Sequence, residues 1–394
     1  MTQEVGSVSR PGGPPASTDL APALERSGVL AAFAPRGIRA APRVETLGQS
    51  HGPATRGVYR VTVVAPERGE YPAWSVILKI LSSEAVPAPG RDDPASYLYW
   101  QREALAYACG LLEALPGGLR APRLLGREDQ PDGAVWLWLE EVRDANGPRW
   151  PLDQYRRAAQ CLGRFNGAYL AGRSLPPQPW LHRMGSARGL LDHYAWLRAV
   201  VAAPETWAQP ALQAHAAELV PRLLRLWDER ASLLDLLEGL PQTLCHFDAW
   251  RGNLCVPEGA ATGEIVALDW AVLGCGSVST DPGDLFAPSF AHGLVEPCSP
   301  RELDEAIFEG YLAGLREAGW RPDRALVRFG YAAFAALKYG GILPRLVMED
   351  EAGSIAAWAQ GAGRPVEEML YELIRLIAYL LDLLDEARDL AGRL

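Results

Sequence analysis

The amino-acid sequence predicts an α+β fold of two lobes, in which a small strand-rich lobe precedes a larger, mainly helical lobe. The first observation is length, because 394 residues exceed the roughly 250 to 300 at which one hydrophobic core stops growing. The second is composition, since 48% hydrophobic residues suffice to fill such cores. The third is a change of hydrophobic spacing near residue 143, from short β-like runs to the repeats of three and four that are typical of helices.

The N-terminal lobe is predicted over residues 21–142, behind a disordered tail at 1–20 that is rich in Gly, Pro and Ser. Its elements are three strands, one helix and two further strands. Runs bounded by Gly, Pro and Glu predict the strands at 43–47, 57–64, 74–81, 122–126 and 134–142. Pro94 near the first turn and the stop signal at 116–118 predict the helix over 94–115.

The C-terminal lobe is predicted over residues 143–394. Apolar residues at helical spacing predict helices at 152–171, 190–201, 211–237, 300–318, 325–347 and 367–390. Between 243 and 285 the pattern changes to short β-like runs joined by loops. Arg375 and Asp382 interrupt the apolar stretch at 373–384, which therefore predicts a buried or dimer-forming helix and not a membrane span. The protein is expected to be a monomer or a homodimer.

Charge and cysteine content restrict the partners and the compartment. The net charge of −10 argues against nucleic acid, whose phosphates are normally met by a basic surface. Six cysteines without a CxxC pair are typical of reduced thiols. Neither a secretory signal nor a run of ~18 uncharged apolar residues is found. We expect a cytoplasmic protein that contacts no membrane.

The strongest chemical signal is the segment HFDAWRGN, which holds His246, Asp248 and Asn253, followed by Asp269 in the apolar run IVALDW. Phosphoryl transfer needs a carboxylate near the attacking hydroxyl and oxygen ligands for Mg²⁺. One Asp, an Asn five residues later and a second Asp meet this need. A buried His, an Asx turn and a charged strand end are each common alone, but their joint occurrence in this order favours the chemistry.

This segment resembles the aminoglycoside phosphotransferase and choline kinase group, whose signature HxDxxxxN is matched by His246, Asp248 and Asn253. The resemblance extends from about Val44 to the final helices. It implies a protein-kinase-like fold with a small antiparallel sheet and one helix in the N-terminal lobe. It also implies that Asp248 is the catalytic carboxylate, that Asn253 and Asp269 are Mg²⁺ ligands, and that His246 shapes the loop. Protein kinases usually have a Lys where this chain has Trp250, which favours a small-molecule acceptor.

Lys79 is the second signal. The chain has only two lysines against 36 arginines, and an ammonium is a compact charge that fits among phosphate oxygens where a guanidinium does not. In the kinase-like fold such a strand Lys pairs with a Glu of the following helix, and Glu103 lies midway along the predicted helix. An edge-strand Lys and a solvated Glu are the ordinary alternatives. We consider them weaker because Lys79, Glu103 and the HxDxxxxN segment occur in family order.

The phosphate-covering loop is predicted between the first two strands, at 48–57, where glycines would let backbone amides approach phosphates. Ser50 and His51 are its candidate nucleotide contacts. The segment is not a GxGxxG, and a plain Gly-rich hairpin is the alternative.

The end of the last strand of the N-terminal lobe, WLEEV, resembles the hinge that binds adenine through backbone groups. In that interpretation the Glu140 carbonyl accepts from the adenine amine and the Val142 amide donates to the ring. A strand end that two acids turn toward solvent is equally consistent with these residues.

Asp284 matches an Asp-Leu pair that the family often has after its metal-binding Asp. It is expected to support the catalytic loop through hydrogen bonds or, more commonly for such an Asp, to cap the next helix.

The sequence thus predicts a kinase that uses ATP, or GTP, and Mg²⁺ to phosphorylate a hydroxyl of a small molecule such as an aminoglycoside or other antibiotic, a sugar or an amino alcohol. A nucleotide-binding pseudokinase with a regulatory role is the alternative. Solvated surface is the ordinary alternative for five acids that are candidates for binding a polycationic acceptor, namely Asp281, Glu296, Glu349, Asp350 and Glu351.

Overall fold

The computed structural model describes residues 14–15, 17–29, 42–47, 54–63, 74–86, 90–183, 185–208, 210–259, 263–349, 356, 359–360 and 363–393. The chain divides into two compact units. Unit 1 comprises Met1–Ala114, Arg120–Arg143 and Leu268–Val272, and unit 2 comprises Leu115–Leu119, Asp144–Ala267 and Leu273–Leu394. The short segment Leu268–Val272 therefore groups with unit 1, although the chain on both sides of it belongs to unit 2.

Unit 1 is built on a five-stranded antiparallel sheet with the strand order β1-β2-β3-β6-β5. The strands are β1 (Arg43–Thr46), β2 (Thr55–Val63), β3 (Trp74–Leu81), β5 (Leu124–Asp129) and β6 (Val135–Glu140), and the two-residue strand β4 (Leu119–Arg120) precedes β5. Buried and half-buried residues alternate along β2, as the two-residue period of a strand with one covered face requires. That face packs with helix α1 (Ser17–Arg26) in one hydrophobic core.

Helix α1 overlaps the range predicted as a tail. Its first four residues, 17–20, lie inside the predicted 1–20, and Leu20 is fully buried in the core of unit 1. Apart from residues 14 and 15, the rest of that range lies outside the described residues.

The single helix predicted at 94–115 is shorter in the structure, where α2 spans Arg102–Ala108 and a 3-10 turn follows at Leu111–Ala114. Side chains compete with helix formation in the preceding segment, because Asp93 and Ser96 accept hydrogen bonds from backbone amides two residues ahead of them. The buried guanidinium of Arg102 also donates to the carbonyls of this segment, including that of Tyr97 at 2.8 Å. Glu103 is consequently in the first turn of α2 and not midway along a long helix.

Unit 2 is mainly helical, as predicted. Its α-helices are α3 (Leu152–Leu170), α4 (Gly185–His193), α5 (Leu197–Ala202), α6 (Pro210–Glu238), α7 (Thr280–Ala291), α8 (Pro300–Glu317), α9 (Arg324–Ala335), α10 (Gly341–Glu349) and α11 (Val366–Ala391). Its strands are short: β7 (His182–Arg183), β8 (Gln242–Cys245), β9 (Leu254–Cys255), β10 (Ile265–Ala267) and β11 (Gly274–Ser277). β11 pairs with both β7 and β8, and β9 pairs with β10. This arrangement, together with the sheet of unit 1, confirms the α+β class.

Two of the predicted helices are divided. The one predicted at 190–201 is two helices, α4 and α5, and the one predicted at 325–347 contains a π-helical segment, Ala336–Gly340, between α9 and α10. Two glycines, Gly340 and Gly341, lie at the end of that segment, and Pro344 follows inside α10. A hydrophobic pattern does not reveal such a local change of helical pitch, because the residues on either side keep helical spacing.

Glycines allow α3 and α8 to pack with their backbones in contact. A Cβ placed on Gly163 would overlap the carbonyl oxygen of Tyr311, and one on Gly314 would overlap that of Gln160. The two helices therefore approach more closely than larger side chains would permit. Phe165 and Tyr311, both fully buried, contribute to the core that surrounds this contact.

In the part of the chain that the structure describes, none of the helices is both long and apolar enough to cross a membrane.

Candidate active site

The segment HFDAWRGN begins where β8 ends, and the carboxylate of Asp281 fixes its first two residues. The backbone amide of His246 donates to Asp281 Oδ2 at 3.2 Å, and that of Phe247 donates to Asp281 Oδ1 at 3.0 Å. Phe247 has a φ of 65°, a left-handed conformation that a bulky residue adopts only when surrounding contacts compensate for it. The sequence thus forms a strained turn immediately before Asp248.

Asp281 supports the loop from inside the protein and is not the predicted surface acid that could bind a polycation. It is fully buried in the first turn of α7 and accepts a third hydrogen bond from Asn166 Nδ2 at 3.0 Å. Burial raises the pKa of Asp281, and the hydrogen bonds from Asn166 and the two loop amides oppose the rise. A carboxylate with these partners cannot bind an acceptor from solvent. Asn166, in the C-terminal half of α3, was not predicted, because a lone Asn in a helical pattern carries no signal.

Asp248 and Asn253 are directly hydrogen-bonded. Asn253 Nδ2 donates to Asp248 Oδ2 at 2.7 Å and to the Asp248 carbonyl at 3.0 Å. The Asp248 amide donates to His246 Nδ1 at 3.2 Å, and His246 is fully buried. His246 therefore shapes the loop by accepting from it. Because the side-chain nitrogen of Asn253 donates to Asp248, the side-chain oxygen of Asn253 is the atom that can bind a cation.

Arg251 holds the second half of the segment in place, a role that the sequence analysis did not predict. Its guanidinium donates to the Leu254 carbonyl at 2.7 Å, to the Gly147 carbonyl at 2.8 Å and to Asp144. It also lies 4.2 Å from the ring centroid of Trp150. These contacts connect the segment HFDAWRGN to the residues that follow Arg143 in unit 2.

Lys79, Glu103 and Asp269 form one ionic cluster in unit 1. Lys79 Nζ lies 2.6 Å from Glu103 Oε2 and 2.8 Å from Asp269 Oδ1. Burial opposes the charged form of the ammonium, but the carboxylates of Asp269 and Glu103 outweigh it and raise the pKa of Lys79. Burial likewise raises the pKa of Glu103, against the effect of Lys79. The edge-strand Lys and solvated Glu considered as alternatives are wrong, because the side chains are 7% and 1% exposed.

The backbone around Asp269 is shaped for this contact. Asp269 follows β10 by two residues and has a φ of 58°, and the next amide, that of Trp270, donates to Glu103 Oε1 at 3.3 Å. Arg102 donates to the Ala271 carbonyl at 3.1 Å. Two consecutive residues of α2 thus hold the segment that carries Asp269, whose side chain remains 26% exposed.

Asp284 lies inside α7 and does not cap it, because the N-cap position is occupied by Ser279. Its fully buried carboxylate accepts from Lys338 Nζ at 2.6 Å and from the Tyr339 hydroxyl at 2.5 Å. Burial raises the pKa of Asp284 to about 6, and Lys338 opposes the rise. The capping role considered for Asp284 is therefore wrong.

The acids at the end of β6 are paired within unit 1. Glu140 accepts from Arg120 Nη1 at 2.9 Å, and Glu141 accepts from Arg60 Nε at 2.6 Å. The alternative of a strand end turned to solvent by two acids is thereby excluded. The adenine contacts predicted for the backbone of Glu140 and Val142 stay predictions. Ser50 and His51 lie outside the described residues, as do Asp350 and Glu351.

Among the residues with described side chains, no cluster of three or more His, Cys, Asp or Glu is arranged to hold a metal ion. Only two ligands are predicted for Mg²⁺, an amide oxygen of Asn253 and a carboxylate of Asp269. By themselves they would not make a cluster of this kind.

Comparison with known proteins gives one family. The family model APH, described as the phosphotransferase enzyme family, matches residues 68–326, about two thirds of the chain. No curated protein sequence matches the chain.

Three solved structures have a similar fold. An amicoumacin kinase in complex with AMP-PNP, Ca²⁺ and Ami is 16% identical, with 84% of this chain and 87% of that chain covered and a TM-score of 0.51. A choline kinase from Cryptosporidium parvum Iowa II is 11% identical, with 96% and 97% covered and a TM-score of 0.52. A microcompartment-associated aminopropanol kinase is 16% identical, with 91% and 95% covered and a TM-score of 0.50. At these identities the similarity establishes the fold.

Proposed function

The chain belongs to the phosphotransferase enzyme family, and from this premise we propose that it transfers the γ-phosphoryl group of ATP to a hydroxyl of a small molecule. The observation that carries the proposal is the pair formed by Asp248 and Asn253, 2.7 Å apart at the end of a loop that Asp281 fixes. A carboxylate held in this way is suited to orient an attacking hydroxyl and to accept its proton.

The two predicted ligands each carry an oxygen donor that suits a divalent metal ion. Asn253 offers an amide oxygen and Asp269 a partly exposed carboxylate, the hard oxygen donors that Mg²⁺ prefers. Asn253 and Asp269 would hold the ion, which supplies charge neutralisation on the phosphate oxygens when it is bound.

The protein's own groups supply the remaining functions. Asp248 orients the acceptor hydroxyl and takes its proton late in the transfer. Lys79 keeps its positive charge through Glu103 and Asp269, so it is available to neutralise charge on the transferring phosphoryl group. Glu103 positions the ammonium and does not itself react.

For the acceptor, we propose an amine-bearing alcohol. One support is the net charge of −10. The other is the aromatic pair formed by Trp250, in the segment HFDAWRGN, and His292, at the C-terminal end of α7, whose ring centroids are 4.8 Å apart. Aromatic faces attract cationic amines. The names of the similar structures, which include choline and aminopropanol kinases, suggest the same class.

The test is a panel of amino alcohols, aminoglycosides, sugars and macrolides, incubated with ATP and Mg²⁺ and analysed by mass spectrometry. We expect a product heavier by one phosphoryl group from at least one amine-bearing alcohol. Binding of ATP without phosphorylation of any member of the panel would favour the regulatory pseudokinase instead.

A further inference from the structure

Lys338 is the second of the two lysines in a chain that has 36 arginines. It lies in the π-helical segment Ala336–Gly340, and its side chain is 11% exposed. The residue is outside the range 68–326 that the family model matches. Short π-helical segments inside α-helices occur frequently at functional sites, so a buried Lys at this position requires an explanation.

The ammonium of Lys338 connects Asp284 to the segment HFDAWRGN at 246–253. Lys338 Nζ lies 2.6 Å from Asp284 Oδ1 and donates to the Phe247 carbonyl at 3.3 Å. The Tyr339 hydroxyl donates to the same Asp284 oxygen at 2.5 Å. Asp284 therefore balances the buried charge while Lys338 binds a backbone oxygen of the loop.

The Phe247 carbonyl and the Asp248 amide belong to one peptide group. Lys338 binds the oxygen of that group, and His246 Nδ1 accepts from its N–H at 3.2 Å. Asp281 binds the preceding amide at 3.0 Å. The peptide planes on both sides of Phe247 are thus fixed in a left-handed conformation that the residue would not adopt by itself. The second of these planes ends at the Cα atom of Asp248, from which the Asp248 side chain branches.

We propose that Lys338 is a positioning residue for phosphoryl transfer, which orients Asp248 by holding the peptide group between Phe247 and Asp248. The inference rests on the proposed function, because it assigns Lys338 a part in the reaction that Asp248 performs. A lysine suits this position because a single ammonium can contact a carboxylate and a carbonyl at once without the width of a guanidinium.

The experiment compares wild type with Lys338→Met, with Lys338→Arg and with the double variant Lys338→Met/Asp284→Asn, which removes both buried charges and leaves no unpaired carboxylate. Arg388→Met is the matched control, since Arg388 is similarly buried (15% exposed) and forms its ion pair with Glu229 of α6 at 2.7 Å. Two quantities are measured: kinetics with the acceptor identified by the panel, and hydrogen–deuterium exchange of the amides at 246–248.

We expect both Lys338→Met variants to lower kcat by about 10- to 100-fold with the KM for ATP within about twofold of wild type, as misplacement of one catalytic group implies. Amide exchange at 246–248 should accelerate by about tenfold or more, because the loop opens more readily. Lys338→Arg should restore part of kcat, and Arg388→Met should change neither quantity.

Unchanged kcat and unchanged exchange in both Lys338→Met variants would overturn the positioning role while the proposed function stands. Equal losses in Arg388→Met would also overturn it, since they would mark a general loss of stability. If wild type phosphorylates no acceptor, the proposed function fails by itself, and the exchange at 246–248 still decides whether Lys338 holds the loop.

Discussion

Lys79 Nζ lies 2.8 Å from Asp269 Oδ1, so the lysine of β3 and the acid that follows β10 form an ion pair. The same ammonium contacts Glu103 at 2.6 Å. One positive charge is therefore shared by two carboxylates, one on α2 and one on the segment Leu268–Val272. Both carboxylates favour the charged form of the ammonium.

Replacing Lys79 should impair the use of ATP. Lys79→Ala leaves the 1%-exposed carboxylate of Glu103 without its cation and removes the charge expected to face the phosphates. We predict that kcat/KM for ATP falls at least about 100-fold, as for other groups that stabilise developing charge. Steady-state kinetics with varied ATP measure this. Lys79→Arg is the informative control, because retained activity would show that any cation suffices there.

Asp281 should be needed for the shape of the loop. Asp281→Ala deprives the His246 and Phe247 amides and the Asn166 side chain of a buried acceptor. The free energy of unfolding should decrease by about 1–3 kcal/mol for such an unsatisfied group, and kcat should fall about tenfold or more through misplacement of Asp248. Urea unfolding and initial rates are the measurements. A variant with wild-type kcat would show that the loop keeps its conformation without this carboxylate.

The contact between α3 and α8 should not tolerate an added methyl group. Gly314→Ala places a Cβ against the Gln160 carbonyl oxygen, and overpacking of this kind costs about 1–3 kcal/mol or more. Chemical denaturation measures the loss. Gly392→Ala, at the end of α11, is the control, since its Cβ meets nothing closer than 3.8 Å. Equal stability of the two variants would contradict the close approach of the helices.

Stability should depend on pH through Asp284, whose pKa burial raises to about 6 from an ordinary value of 3.8, against the effect of Lys338. The folded chain therefore binds this proton more tightly than the unfolded chain does. The contribution is fully present below about pH 4 and is lost as the pH rises through about 6.

Asp284→Asn removes this titration, so its free energy of unfolding should fall less steeply than that of wild type between about pH 4 and about pH 7. Urea unfolding across that range provides the comparison. Asp153→Asn, which removes a carboxylate whose side chain is 74% exposed, is the control. A wild-type slope in Asp284→Asn would show that the group does not titrate in this range.

The sequence was sufficient for the class of fold and for most elements, whereas the roles assigned to Asp248, Asn253 and Asp269 stay predictions. Lys79 and Glu103, 24 positions apart in sequence, could be paired before the structure was known because the resemblance to the kinase-like fold implies a strand Lys that pairs with a Glu of the following helix. The boundary of α2 could not be predicted, because Asp93, Ser96 and Arg102 stabilise a non-helical segment through side-chain contacts.

The residues that support the loop were the least predictable. Asp281 was considered only as a contact for a polycationic acceptor or as solvated surface, because its burial depends on Asn166 and on amides distant in sequence. Lys338 and Arg251 bind backbone carbonyls, which every residue has and which therefore leave no pattern. Chemistry is encoded in residue type and spacing, whereas its mechanical support is encoded in tertiary contacts.

The central claim is that Asp248 performs the chemistry. The most direct measurement compares Asp248→Ala with wild type in two quantities, the rate at which phosphorylated product forms and the affinity for ATP. The account predicts a rate at least ~100-fold below that of wild type, in line with the loss of a positioned acid–base group, with ATP affinity by calorimetry nearly unchanged. Turnover equal to that of wild type would contradict it.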